Sequence, residues 1–171
     1  MPRSRNVVAM PTIDPQEFRR VLGHFPTGVT VVTGMAGEEP AGLTIGSFTS
    51  VSLDPPLVGF LPGRNSTTWS AIEASGHFCV NVLGSGQGDT CWTFAKSSGD
   101  ASRFDGLSWR TEATGAPVID GSLAWIDCSI EQVIEMGDHW FVLGAVVALG
   151  ADDGDPLLFF RGGLGTFGAL S

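Results

Sequence analysis

The chain has no tyrosine, and its nine lysines and arginines are outnumbered by 18 aspartates and glutamates. The resulting formal charge of −9 excludes nucleic acid and an anionic membrane as main partners, because both are held by basic patches. It leaves room for a small anionic ligand, which backbone N–H groups bind without much side-chain charge. Cysteine is scarce. Cys79, Cys91 and Cys128 form an odd set with no C-x-x-C, which argues against a disulfide framework and a structural zinc site. His24, His77 and His139 show no ligand spacing either, so no metal is expected. Cys79 in HFCVNVL and Cys128 in AWIDCSI lie in apolar runs and read as buried thiols. No apolar run is long enough to span a membrane, and the N-terminal MPRSRNVVAMPT has no signal-peptide core, so a cytoplasmic protein is expected.

What is present is a chain of 171 residues with 24 glycines, 43 % hydrophobic residues and many short apolar runs. That pattern predicts one mainly β domain over residues 13–171 behind a flexible tail over 1–12. DPQEFRRVLGHF reads as a helix: Asp14 caps it, Pro15 suits its first position, Glu17 completes a capping box, and Phe18, Val21, Leu22 and Phe25 share one face. TTWSAIEASG predicts a short helix capped by Ser66 or Thr67, and DTCWTFAK a helical turn capped by Asp89. SSGDASRFDG reads as a polar connection. TGVTVVTGM, GLTIGSFTSVSL, PLVGFL, HFCVNVL, LAWIDCSIEQVIEM, DHWFVLGAVVALG and PLLFFRGG read as strands, the fifth and sixth joined in a hairpin at Met136–Asp138. About seven strands with two or three short helices predict an antiparallel barrel, closed or nearly so.

GLGTFG, residues 163–168, matches the G-x-G-x-x-G pattern of dinucleotide sites. That fingerprint needs a following helix and an acidic residue about 20 positions on, and only three residues remain, so the segment reads as a glycine-rich tail. GLTIGSFTSVSLDPPLV is more informative. Five hydroxyl side chains, Thr44, Ser47, Thr49, Ser50 and Ser52, sit in an apparent strand that ends at Pro55-Pro56. Alternation puts Leu43, Ile45, Val51 and Leu53 on one face, with Ser47 and Thr49 between them. A half-solvated strand accounts for this on composition alone. The apolar LVGFL and the helix start at RNSTTW follow at once, and the three segments together suit a flat, polar-edged, phosphate-bearing ligand. Helix capping by Ser66, Thr67 and Thr68 is the plainer alternative.

FPTGVTVVT, GLTIGSFTSVSLDPPLVGF, NSTTW, FCVNVL, RFDGLSW, GSLAWIDC, GDHWFVLGAV and PLLFFRG occur in the order seen in short-chain flavin reductases. The chain resembles that family from Asp14 to Gly162, and AIEASGHFCVNVL with GSLAWIDC is most similar to the reductase components of nitrilotriacetate-type and steroid-ring monooxygenases. The resemblance implies an FMN-binding split β-barrel, Greek-key-like and antiparallel with a few short helices, forming a homodimer. It implies an NAD(P)H:flavin oxidoreductase, using NADH or NADPH to reduce FMN or FAD for a flavin-dependent monooxygenase that receives the reduced flavin by diffusion. Carried over by position, Thr27, Thr44, Ile45 and Ser47 hold the flavin ring, and Phe60, Leu61 and Pro62 flank it. Ser66, Thr67 and Thr68 meet the phosphate, with Phe94, Ala95 and Lys96 nearby. Gly28, His139 and Phe160 belong to the nicotinamide side.

The resemblance implies no catalytic side chain and no metal, since the cofactors carry the hydride chemistry. Two departures stand out. The family often has a polar residue where this chain has Ile45 and Gly46, and a longer C-terminal segment is absent. On spacing alone His139 reads as a solvated hairpin histidine. Two other readings keep a related barrel: a flavin-storage protein without nicotinamide turnover, and a pyridoxamine-phosphate-type oxidase. The second needs clustered basic residues that this chain lacks.

Overall fold

The computed structural model describes residues 11–96 and 101–170. Nearly all of the expected tail, and residues 97–100 of the expected polar connection, lie outside the described residues. Helix α1, Pro15–Leu22, begins where the sequence dictates: the Asp14 carboxylate accepts from the N–H groups of Gln16 and Glu17, both at 2.9 Å. Its capping box is incomplete, because Glu17 pairs with Arg20 at 2.7 Å. Strands β1 (Thr27–Gly28), β2 (Thr30–Ala36), β3 (Glu39–Ile45), β4 (Thr49–Ser52) and β5 (Leu57–Phe60) follow. Then come α2 (Thr67–Glu73), β6 (His77–Val82), α3 (Gly88–Ala95) and a 3-10 turn at Ala101–Phe104. Strands β7 (Trp109–Thr111), β8 (Pro117–Ile119), β9 (Ala124–Met136), β10 (His139–Ala151), β11 (Leu157–Phe160) and β12 (Gly163–Thr166) complete the chain. The protein is mainly β with a few short helices.

Seven strands form the principal antiparallel sheet, in the order β3-β2-β6-β9-β10-β5-β4. Its edge strands are neighbours in sequence, joined only by Gly46–Phe48. That link spans at most about 14 Å, whereas the edges of a flat sheet of this size would lie about 29 Å apart. The sheet therefore coils until its edges converge. β3 and β4 share no ladder, so the antiparallel sheet coils without a hydrogen-bonded closure between its edges. The reason is local: the chain leaves the ladder at Gly46, and Ser47 Oγ accepts from Leu61 N–H at 2.9 Å. The single strand expected across this stretch is two strands, and Val51 and Leu53 are exposed instead of sharing a buried face with Ile45.

β2 is apolar on both faces. Val32 joins Phe60, Trp69, Phe78 and Val142 in one cluster, and Val31 joins Leu83, Phe94 and Phe104 in another. α2 seals the first cluster through Trp69 and Ile72, and α3 seals the second through Phe94 and Cys91. Asn81 and Asp127, both fully buried, find partners within this frame. Asn81 Nδ2 donates to Val31 O at 3.1 Å, and its Oδ1 accepts from Ile119 N–H at 2.7 Å. Asp127 accepts from Thr114 N–H at 2.8 Å and from the Thr114 hydroxyl. Two further expectations are corrected. α3 starts at Gly88 with Gln87 before it and no side-chain cap, so Asp89 lies in its first turn and does not cap it. GLGTFG is not a loose tail: Gly163–Thr166 is β12, paired with β11.

Candidate flavin site

β3 is the spine of a cleft. Its Thr44 lines two adjoining recesses, and Gly46 just beyond its end lines a third contact with them. The middle recess, about 240 Å³, is apolar and lies between β3, β1 and α3. Ile45, Gly28, Cys91, Trp92 and Phe159 line it, so two aromatic side chains border the space. Thr44 fixes its width: the hydroxyl donates to Cys91 O at 2.7 Å and ties β3 to α3. Gly28 keeps it open, since a Cβ built there meets no atom within 4 Å. The outer recess, about 480 Å³, runs past Thr27 and Gly46 to Ser47, Phe48 and Thr49.

The inner recess, about 290 Å³, has different chemistry. The start of α2 brings Asn65, Ser66, Thr67 and Thr68, and the end of α3 brings Ala95 and Lys96. Ser66 caps α2, its Oγ accepting from Trp69 N–H at 3.1 Å. Beneath Lys96 lies Arg103, 6 % exposed. Arg103 donates to Gly42 O at 2.8 Å, to Phe94 O at 3.4 Å and to Lys96 O. A buried guanidinium thus joins β3 to the last turn of α3 and places a second positive charge at this end. Two cations and three hydroxyls at one end of an apolar cleft match an anionic group attached to a flat ring.

His139 opens β10, directly after the Gly137-Asp138 turn. Its Nδ1 lies 2.8 Å from Asp138 Oδ1. That hydrogen bond, followed by the imidazole's charge, holds the Asp138 carboxyl below its ordinary range. The turn is docked on the segment after β5: Gly63 bridges to His139, and Trp140 N–H donates to Pro62 O at 3.0 Å. Among the described residues no group of His, Cys, Asp or Glu is placed to hold a metal ion.

Residues 22–168 match the flavin reductase-like domain. The chain belongs to the flavin reductase family. It is 52 % identical over 160 residues to a flavin reductase of Pseudomonas putida, covering 92 % of this chain and 93 % of that one. Its fold superposes with a TM-score of 0.85 on the crystal structure of nitrilotriacetate monooxygenase component B from Mycobacterium thermoresistibile, at 44 % identity, covering 90 % and 86 % of the two chains. The NADH:FAD oxidoreductase SgcE6 of Streptomyces globisporus, solved with NAD and FAD fragments, gives a TM-score of 0.84 at 39 % identity, covering 93 % and 98 %.

Within the family frame, most of the expected flavin residues do converge on the cleft: Thr27, Thr44, Ile45, Ser47, Ser66, Thr67, Thr68, Phe94, Ala95 and Lys96 all line it. Gly28, expected on the nicotinamide side, lines the middle recess too. Several expected roles change. Phe60 does not flank the cleft. It has no exposed surface and packs edge-on against Trp69 and Phe78, because β5 turns it into the core. Pro62 is likewise buried, and Leu61 reaches the site only through its backbone, which exchanges hydrogen bonds with Ser47 Oγ. Phe94 lies at the inner recess, buried against Phe104. Phe160 is exposed and lines none of the three recesses, while its neighbour Phe159, opposite Thr27 on β1, does. His139 lies outside the three recesses and is joined to them through residues 61–63.

Arg103, Cys91, Trp92, Phe159 and Asn65 were not singled out from the sequence. Arg103 sits in RFDGLSW, a stretch that carries the resemblance, and among its bonds are those to the backbone carbonyls of Gly42, Phe94 and Lys96. No side-chain pattern announces such a partner.

Proposed function

We propose that the protein is an NAD(P)H:flavin oxidoreductase that reduces FMN, or FAD, and releases the reduced flavin to a separate flavin-dependent monooxygenase component. The observation that carries this reading is the cleft along β3, apolar at its centre and cationic at one end. The residues present fit a flavin nucleotide. Lys96, Ser66 and Thr67 would hold the phosphate, with Arg103, Thr68 and Phe94 also lining that recess. Ile45 and Gly46 border the ring with backbone and aliphatic surface, in keeping with the lack of polar side chains there. Ser47, which lines the outer recess, has its hydroxyl engaged with Leu61 and so shapes the loop.

A bound flavin would supply the acceptor for the nicotinamide's hydride, and that chemistry belongs to the cofactors. The chain holds the two rings against each other, orients them and excludes water. Gly28 leaves room for their approach, and His139 meets the nicotinamide nucleotide from the hairpin, its ring set by Asp138. The coiled sheet is read as a split barrel, with residues 13–171 acting as one domain. A homodimer accounts for the stripe of Phe18, Val21, Leu22 and Phe25 on and after α1, which is 50–75 % exposed in the single chain.

The test follows NADH and NADPH absorbance with purified protein and FMN or FAD added in turn. Flavin-dependent oxidation is expected, and its absence with both nucleotides would overturn the reading. In the same assay His139→Ala is expected to raise KM for the nicotinamide nucleotide about tenfold while flavin affinity, read from flavin fluorescence, stays within about twofold.

A further inference from the structure

We propose that Arg64 is a positioning residue that clasps the β9–β10 hairpin tip to the start of the phosphate-binding loop, so that one short segment sets the spacing of the two cofactor sites. This rests on the reading of His139 as the nicotinamide contact.

The segment 61–66 makes three sets of bonds in six residues. Leu61 exchanges hydrogen bonds with Ser47 Oγ on the flavin side. Pro62 O accepts from Trp140 N–H at 3.0 Å, Gly63 bridges to His139, and Arg64 N–H donates to Asp138 O at 3.0 Å. Ser66 then caps α2 at the phosphate end. The backbone of this segment is therefore zipped to Asp138, His139 and Trp140 at the hairpin tip.

The Arg64 side chain spans the outside of that zipper. Its Nη1 lies 2.7 Å from Glu135 Oε1 and 3.3 Å from Gly137 O, and its guanidinium carbon stands 5.2 Å from the centre of the Trp140 ring. One side chain thus contacts β9, the turn and β10. The ion pair is exposed on both sides, 41 % and 59 %, and alone would contribute little. Its value lies in combination: one nitrogen, Nη1, bonds carboxylate and carbonyl together while the guanidinium stands over the indole. Each contact restricts the same turn, whose other restraints are backbone bonds near a free hairpin end. Without Arg64, the turn keeps its fold and gains freedom to swing away from Gly63. His139 moves with it, while Lys96, Ser66 and the middle recess do not.

The experiment compares wild type with Arg64→Ala, Arg64→Lys and Glu135→Gln. In Arg64→Ala, KM for NADH is expected to rise about tenfold, with the dissociation constant for FMN within about twofold of wild type. Arg64→Lys keeps the charge but not the planar guanidinium over the Trp140 ring, and is expected to recover only part of the loss. Glu135→Gln shifts KM in the same direction and adds little to Arg64→Ala, because both break one contact. Hydrogen exchange gives a readout independent of turnover. Amides of Asp138–Phe141 are expected to lose protection in Arg64→Ala while the middle of β10 keeps it. An unchanged KM with unchanged exchange at the tip overturns the clasp, as does an equal loss of FMN affinity. A wild-type protein that oxidises neither nucleotide would sink the reductase reading instead, and exchange at the tip would still decide whether Arg64 holds the turn.

Discussion

Lys96 separates a phosphate site from a merely polar rim. It stands at the end of α3, in the recess shared with Ser66 and Thr67. A charge-assisted hydrogen bond contributes about 1.5–3 kcal/mol, so Lys96→Met is expected to weaken FMN about tenfold or more. Riboflavin, which has no phosphate, should lose almost nothing. Fluorescence titration with both flavins checks this, and an equal loss for the two would move the phosphate elsewhere. The thiols make a second contrast. Burial, then the nearby Asp127 charge, pushes the Cys128 thiol up to about 12 and Cys79 higher still, and burial alone raises Cys91. In the unfolded chain these thiols ionise near about 8.5. As pH rises past that value the unfolded state loses protons that the folded state keeps, so stability falls from there towards pH 12. Urea unfolding between neutral pH and about pH 10 should show this decline, and a flat profile would contradict it. Cys91 alone among the three lines the cleft, so it should be the first to react with a thiol reagent, and FMN should slow it.

At the scale of elements, the local signals were legible where they act within a few residues. Asp14, Pro15 and the apolar spacing define α1, and the two long strands of the β9–β10 hairpin lie within a residue of their expected bounds. What was not legible depends on distant partners. GLTIGSFTSVS alternates like one strand, but Gly46–Phe48 lies where the two sheet edges converge, and no local pattern encodes that meeting. The family resemblance implies that Phe60 flanks the flavin. Its burial follows from Trp69 and Phe78, which reach it from α2 and β6. The glycines of this region separate packing from binding. A Cβ at Gly42 would fall 2.7 and 2.9 Å from Phe94 ring carbons, whereas one at Gly28 meets open recess. Gly42→Ala should therefore cost about 1–3 kcal/mol of stability and disturb the phosphate end through Phe94. Gly28→Val should leave the unfolding midpoint nearly unchanged and abolish saturable flavin binding. Thermal unfolding beside flavin titration distinguishes them, and a well-folded Gly28→Val protein with normal flavin affinity would place the ring outside the middle recess.

At the scale of the whole molecule, charge and site oppose each other. The chain carries −9 overall, while the cleft that would take anionic nucleotides holds Lys96 and the buried Arg103. Exposed charges beyond about 10 Å are largely screened at 0.1 M ionic strength, but a partly buried pair within the cleft is screened much less. Raising salt therefore removes the long-range repulsion first and leaves the local attraction mostly intact. The association rate for FMN is expected to rise by about twofold to fivefold between about 0.01 and 0.15 M salt, with little change in dissociation. This is opposite in sign to the response of an enzyme that steers anionic substrates with a basic surface. Stopped-flow quenching of flavin fluorescence measures it directly. An association rate that falls with salt would mean that the field of Lys96 and Arg103 reaches past the mouth of the cleft and outweighs the acidic surface.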